Sequence, residues 1–107
     1  MEGTPRILRQ YQTEEGAEPF RRWLTGLRDA EGRAVIRTRL NRVAAGNLAN
    51  CRSVGGGVHE LKINFGPGYR VYFGVDGNVV VLLNGGDKDS QSRDIQRAKE
   101  YWTDYNA

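Results

Sequence analysis

The sequence predicts an α+β domain: an N-terminal helical hairpin packed on a three- to four-stranded antiparallel sheet, with a C-terminal helix. Three observations carry this expectation. Phe20, Trp23, Leu24 and Leu27 fall at i, i+3, i+4 and i+7, an amphipathic helical stripe. From Val58 the period drops to two, with Leu61, Ile63 and Phe65 alternating with Glu60, Lys62 and Asn64. Val79 to Leu83 is an unbroken apolar run, as a central strand covered on much of both faces would be.

The elements follow in order. Arg6 to Gln12, with Ile7, Leu8 and Tyr11, reads as a short first strand. Glu14 to Pro19 opens the first helix, placing carboxylates where the helix dipole favours them. Asp29 to Gly32 turns the chain into a second helix, with Val35, Ile36, Leu40, Val43 and Ala44 inward and Arg33, Arg37 and Arg42 largely outward. Gly46-Asn47 stops it. So short a connection predicts that the two helices form an antiparallel pair. Leu48 to Gly57 reads as a loop ending in three glycines, which mark mobility or a close backbone approach. Gly66-Pro67-Gly68 and Asp76-Gly77-Asn78 are turn signals on either side of Tyr69 to Val75. Gly85-Gly86 ends the apolar run, and Asp87 to Ser92 leads into a last helix with Ile95, Ala98 and Trp102 on one side. No repeat or interdomain linker interrupts residues 1–107, so one domain is expected.

Composition narrows the chemistry. A chain of 107 residues buries roughly 60–70% of its unfolded surface around a single core. No apolar run approaches the roughly 20 residues that span a bilayer, and Met1 to Gln10 has no signal-peptide core. One cysteine and one histidine give neither an internal disulfide nor a zinc constellation. The expectations are a reducing cytoplasm, no cofactor and no protein-held metal. Net charge is +3, but Phe20 to Arg52 carries eight arginines against two acidic residues, net +6, leaving the remainder at −3. Thirteen of the sixteen bases are arginine, the side chain that forks onto phosphate or carboxylate. Such a segment suits a solvated helical surface, a polyanion such as RNA, or an acidic protein partner.

Strand alternation puts Glu60 and Lys62 on one face and Arg70 and Tyr72 on another. Where the two faces coincide, a carboxylate, an ammonium, a guanidinium and a phenol meet on one surface and suit gripping a phosphodiester. Any half-exposed sheet also alternates polar residues in this way. Tyr72 is a candidate for stacking on a nucleotide, and Arg93 stands with it as a substrate-binding candidate. His59 points with Leu61 and Ile63, away from Lys62. Only Arg52 lies beside Cys51 to lower its pKa, so that thiol is expected to be inert.

Three blocks carry a family resemblance: Gly57-Val58-x-Glu60-Leu61-Lys62; Gly66-Pro67-Gly68-Tyr69-Arg70-Val71-Tyr72-Phe73; and Leu83-x-Gly85-Gly86-Asp87-Lys88-x-x-Gln91-x-x-Asp94-Ile95. Phe20-x-x-Trp23-Leu24-x-x-Leu27-x-Asp29 and Arg39-Leu40-x-Arg42-x-x-x-Gly46-Asn47 extend it upstream. From about Tyr11 to Tyr101 the chain resembles the phage-derived, HigB-like addiction module killer proteins of the RelE/ParE toxin superfamily. The resemblance implies a RelE-like fold and the toxin half of a type II toxin–antitoxin pair. It further implies an endoribonuclease (an mRNA interferase) that cuts messages in the ribosomal decoding site without a metal, through attack of a ribose 2′-hydroxyl on the adjacent phosphate. The implied partners are the ribosome, mRNA and an antitoxin, usually of helix-turn-helix type, in an oligomeric assembly. ParE members of the superfamily instead inhibit DNA gyrase, and a non-toxic antitoxin-binding relic is a third reading.

Carried over residue by residue, the resemblance makes Arg70 a phosphate-binding arginine and Lys88 a second catalytic cation. Lys62 stands at one of two strand-lysine positions, and Glu60 occupies the other. Asp94 lies near the place of a C-terminal tyrosine in RelE, Asn50 stands where aspartate is commoner, and His59 where a small polar residue is usual. The expected catalytic set is therefore Glu60, Lys62, Arg70 and Lys88. In it Arg70 and Lys88 grip the scissile phosphate, Lys62 stabilises developing charge or donates a proton, and Glu60 is the candidate base.

Overall fold

The computed structural model describes residues 4–107; Met1 to Gly3, part of the N-terminal stretch read above, lie outside it. The elements run β1 (Ile7–Gln10), α1 (Pro19–Gly26), α2 (Ala30–Ala44), β2 (Cys51–Gly55), β3 (Val58–Ile63), β4 (Tyr69–Asp76), β5 (Val79–Gly86) and α3 (Gln91–Tyr105). Among the described residues no helix is long and apolar enough to cross a membrane.

The sheet corrects the expected architecture. It has five strands in the order β1-β5-β4-β3-β2, and it is mixed. It does not have the three- to four-stranded antiparallel layout expected for a RelE-like fold. The β2–β3, β3–β4 and β4–β5 pairs are antiparallel, but β1 lies parallel to β5, with Ile7 opposite Val79 and Gln10 opposite Leu82. The reason is backbone hydrogen bonding. The β4–β5 hairpin leaves the outer edge of the most apolar strand unpaired, and buried N–H and C=O groups there need partners. β1 supplies them and continues at both ends, Ile7 N–H donating to the Asn78 carbonyl at 2.9 Å and Tyr11 N–H to that of Leu82 at 3.0 Å. Cys51 to Gly55, expected to be loop, pairs with β3 at the opposite edge, Arg52 lying directly across from Glu60. The polar Arg52-Ser53 pair and Gly55 at the strand's end conceal that strand from a period-two reading.

A second correction concerns layers. Both sheet faces are covered. On one, Phe20 and Leu24 of α1 and Ile36, Leu40 and Val43 of α2 bury Leu61, Ile63, Tyr69, Val71, Phe73, Val80 and Leu82. On the other, α3 lays Ala98, Ile95 and Trp102 on Val58, Tyr72, Val81 and Leu83. The face expected to expose Glu60, Lys62, Arg70 and Tyr72 is thus largely an interior. Apolar burial on both sides, at about 25 cal/mol per Å², explains why Val79 to Leu83 carries no polar alternation.

Local chemistry fixes the register. Asp29 caps α2, its Oδ1 accepting from Gly32 N–H at 2.8 Å, while the Tyr69 hydroxyl donates to its Oδ2 at 2.8 Å. Those two bonds tie the start of α2 to the start of β4. The pairing of β4 with β5 slips between Tyr72 and Phe73, so that Asn84 opposes Tyr72 and Leu82 opposes Phe73. Leu83 is the extra residue of this bulge, and it and Asn84 both turn toward α3. The three glycines before β3 answer a close approach: at Gly57, with φ of +83°, a Cβ would lie 2.6 Å from Trp102 Nε1.

The Trp102 ring also lies directly on Gly74, where a Cβ would overlap it. Gly74→Ala should therefore push α3 off the sheet and cost about 1–3 kcal/mol, as overpacking of a close-packed interior does. Thermal unfolding should show a melting temperature lower by on the order of 5 °C or more. An unchanged melting temperature would mean that α3 does not bear on β4 as described.

Candidate functional site

The candidate site grows from one cross-strand row. Arg52 of β2, Glu60 of β3, Tyr72 of β4 and Asn84 of β5 oppose one another in turn. Glu60 is 1% exposed and Tyr72 is fully buried. The Glu60 carboxylate accepts from Arg52 Nε at 3.0 Å, from the Tyr72 hydroxyl at 3.0 Å and from Gln91 Nε2 at 2.9 Å. Arg70 Nε stands 3.8 Å from its Oε2, an ion pair too long for a hydrogen bond. Burial by itself raises the carboxyl pKa. The hydrogen bonds from Gln91, Arg52 and Tyr72 and the Arg52 charge outweigh it, holding Glu60 below its ordinary range. Burial and the Glu60 charge push the Tyr72 phenol well up, so it stays a hydroxyl donor.

Two expectations change here. Glu60, the candidate base, is a buried, ionised carboxylate that already accepts from three donors, and its proton affinity is lowered. It orients its neighbours, and no solvent-facing oxygen remains to receive a proton. Tyr72, expected to stack on a nucleotide, lies in the core beneath α3 with its hydroxyl committed to Glu60. A period-two pattern distinguishes two faces of a strand; it does not say whether a later helix will cover one of them.

The next row places the cations. Lys62 of β3 stands directly opposite Arg70 of β4, and Arg70 opposite Gly86 of β5. Lys88 follows just past the end of β5. A Cβ at Gly68 would lie 3.1 Å from Arg70 Nη1 and 3.7 Å from Lys88 Cβ, so the guanidinium and the root of the lysine are within about 7 Å. Three of the four expected catalytic residues, Lys62, Arg70 and Lys88, therefore gather at one end of the sheet, while Glu60 lies beneath them. Lys62 and Lys88 are exposed, and Arg70 is 6% exposed. Its Nη1 donates to the Gly68 carbonyl at 2.7 Å, and its buried Nε has no hydrogen-bond partner among the described residues.

Arg93 lines a cleft of about 430 Å³ that includes Gly86, the residue opposite Arg70, and is walled also by Trp23, Gly85, Asp87, Asp89, Ser90 and Asp94. Asp94 covers Gly86, accepts a short hydrogen bond from the Ser90 hydroxyl, and its carbonyl accepts from Asn84 Nδ2 at 3.1 Å. His59 stacks on Phe73 with ring centroids 5.4 Å apart, on the α1–α2 side as its strand position implies. Burial pushes the Cys51 thiol up and the Arg39 charge only partly opposes this, so Cys51 is held as a thiol. Among the described residues no three His, Cys, Asp or Glu side chains are grouped to hold a metal ion. Sequence reasoning missed Gln91 and Arg52 as holders of Glu60. The signal for Gln91 was its fixed place three residues after Lys88 in the last motif block.

The Glu60 pKa has a consequence for stability. Its folded value lies below the ordinary 4.5, so its contribution is complete above about pH 4.5 and is lost as pH falls through the folded value. Glu60→Gln should destabilise the protein at pH 7 by about 1–3 kcal/mol, since buried donors lose a charged acceptor. The difference from the unaltered protein should narrow as pH is lowered below 4.5, measured by urea unfolding at several pH values. A pH-independent difference would mean that the carboxylate charge is not what these donors hold.

No family model matches the chain, and no solved structure matches it. It is similar to a protein of Haemophilus influenzae described as an uncharacterized protein, 43% identical over 81 residues, which cover 75% of this chain and 82% of the relative. At that identity and coverage, the chain belongs to the same family as this Haemophilus influenzae protein.

Proposed function

We propose that this protein is the toxin of a type II toxin–antitoxin pair, acting in the cytoplasm as a ribosome-dependent endoribonuclease that needs no metal. The observation that carries this reading is the meeting of Lys62, Arg70 and Lys88 at one sheet end, over a carboxylate that fixes the guanidinium. In the proposed reaction a ribose 2′-oxygen forms a bond to phosphorus and the bond to the 5′-oxygen breaks. The 2′-hydroxyl gives its proton to a water molecule and the departing 5′-oxygen takes one from the Lys62 ammonium, leaving a 2′,3′-cyclic phosphate and a 5′-hydroxyl. Charge builds on the non-bridging oxygens in between, and preorganised cations stabilise it most where water is excluded.

Lys62 and Lys88, being exposed, meet the phosphate directly. Lys62 is also the donor to the leaving oxygen. Arg70 presents the outer edge of its guanidinium, the Nε side being turned to Glu60. Glu60 serves as the positioning group for Arg70. The partners in this reading are the ribosome with its mRNA and a small antitoxin of helix-turn-helix type, in an oligomeric complex.

The test is cleavage of translated mRNA by purified protein and ribosomes with chelator present. Arg70→Ala and Lys88→Ala should each lower cleavage by about 10²–10³-fold, the loss seen when one transition-state donor is removed. Full activity in both variants would remove this site from the reaction. Induction in growing bacteria should give message 5′ ends in register with the reading frame. DNA damage with intact messages would replace the nuclease by the gyrase-inhibitor reading, and harmless expression of folded protein would favour the relic.

A further inference from the structure

A second basic depression lies between the last turns of α2 and the loop leading into β2. Arg39, Arg42, Val43, Asn47, Ala49 and Asn50 enclose about 100 Å³ there, with two guanidiniums in the wall and no carboxylate. Arg39 and Arg42 are three residues apart on one helix, so their side chains neighbour one another. Arg39 Nη2 reaches the Ala49 carbonyl at 3.5 Å, which draws it over the depression. Two planar forks side by side match the oxygens of a tetrahedral oxyanion better than two ammonium groups would. The far wall is formed by Asn50, which has a φ of +65°, a left-handed conformation seldom taken by residues other than glycine.

Its place in the fold gives the depression a use. The Asn50 carbonyl accepts from Lys62 N–H at 3.1 Å, and Lys62 stands directly opposite Arg70. Adjacent strands lie about 4.8 Å apart. Along the backbone the depression begins roughly two strand spacings, or about 10 Å, from Arg70; Arg39 and Arg42 stand on the α1–α2 side of the sheet, and the Lys62 and Arg70 side chains on the α3 side. A polyanion leaving the Lys62–Arg70–Lys88 group must cross the β3–β2 end of the sheet to bring a further phosphate onto Arg39 and Arg42.

We propose that this depression is a phosphate subsite for single-stranded RNA, holding a backbone phosphate beyond the one at Arg70, where the strand has crossed the sheet end; naming RNA as the polyanion rests on the proposed function above. Arg39 and Arg42 contribute to affinity, and the group at the sheet end carries the chemistry. Asn50 belongs to the subsite because a carboxylate at that point would repel the phosphate.

The probe is a short RNA carrying 2′-O-methyl groups, which removes the attacking hydroxyl so that binding is read without cleavage. Dissociation constants are measured across a salt series. Arg39→Gln with Arg42→Gln should weaken binding about tenfold and reduce the slope of log K against log salt by about 0.7, the value for one phosphate of a single strand. Asn50→Asp should also weaken binding severalfold. It keeps the side-chain shape and tolerates the left-handed backbone, so it remains informative if the double variant folds poorly. Arg97→Gln on α3, which removes a partner of Glu100, should leave affinity and slope unchanged. Affinity and slope that ignore both Arg39→Gln/Arg42→Gln and Asn50→Asp would overturn the subsite, and so would an equal loss in Arg97→Gln. Cleavage that depends on Arg70 beside affinity that does not depend on Arg39 and Arg42 overturns the subsite alone. Subsite-dependent binding without any ribosome-dependent cleavage overturns the nuclease and leaves the subsite standing.

Discussion

The Glu60 carboxylate is the constraint on which the rest of the structure turns. It is buried, ionised and shared among donors from β2, β4 and α3. An uncompensated carboxylate in such a place would carry a desolvation penalty of several kcal/mol. The surrounding donors offset that penalty only if Arg52, Tyr72 and Gln91 all arrive together. This couples the edge strand, the central hairpin and the N-terminal turn of the last helix into one arrangement. It also bears on the position of Arg70, whose Nε pairs with Glu60 at 3.8 Å and has no hydrogen-bond acceptor among the described residues. Directional bonds hold Tyr72 and Gln91, while Arg70 is held by charge and by the Gly68 carbonyl.

How much of this was legible in the sequence follows from where period and burial agree. The stripe from Phe20 to Leu27 faces the sheet because a 3.6-residue repeat leaves it one way to bury Phe20 and Leu24. Leu61 and Ile63 sit on the α1–α2 side for the analogous period-two reason. The same period misled at Glu60 and Tyr72, because a buried polar pair alternates in sequence just as a solvated pair does. What separates the two cases is α3, some thirty residues away in sequence. Its requirement for a groove was written in Gly57 and Gly74 beneath Trp102, but a glycine does not announce its partner. The parallel partnership of β1 with β5 is a long-range choice between four polar-apolar residues and an open edge, and no local pattern encodes it. Lys62 facing Arg70 was readable from the turn; Lys88 beside Gly68 required the end of β5 to be placed first.

Burial divides the labour among the cations. The charge of Arg70 is partly neutralised by Glu60, so the field reaching solvent at this sheet end comes chiefly from Lys62 and Lys88. Exposed ammonium groups attract a polyanion over about a Debye length, near 8 Å at physiological salt, but their position is loosely defined. A guanidinium locked between a carbonyl and a carboxylate is the converse, weak at a distance and accurate at contact. Preorganisation of this second kind is what stabilises charge that exists only in a transition state. The two kinds of cation together therefore suit a phosphodiester that must first be drawn in and then held in one geometry.

The turn at Gly66-Pro67-Gly68 decides whether that geometry is reachable. Arg70 is almost enclosed, and the nearest backbone to its Nη1 is the turn itself, whose carbonyl at Gly68 it binds. Any side chain at position 68 would stand 3.1 Å from Nη1, against the root of Lys88, and would close the space between the two cations. Gly68 also has a φ of +82°, which other residues adopt only with strain. One residue thus meets two separate demands, the reversal of the chain and an open approach to the guanidinium. Glycine satisfies both because it has no Cβ. The gap that this missing side chain leaves lies between Arg70 Nη1 and the root of Lys88, and in the proposed function it is where a phosphate oxygen meets the guanidinium. The proposed site is therefore defined as much by the atom absent at position 68 as by the charges around it.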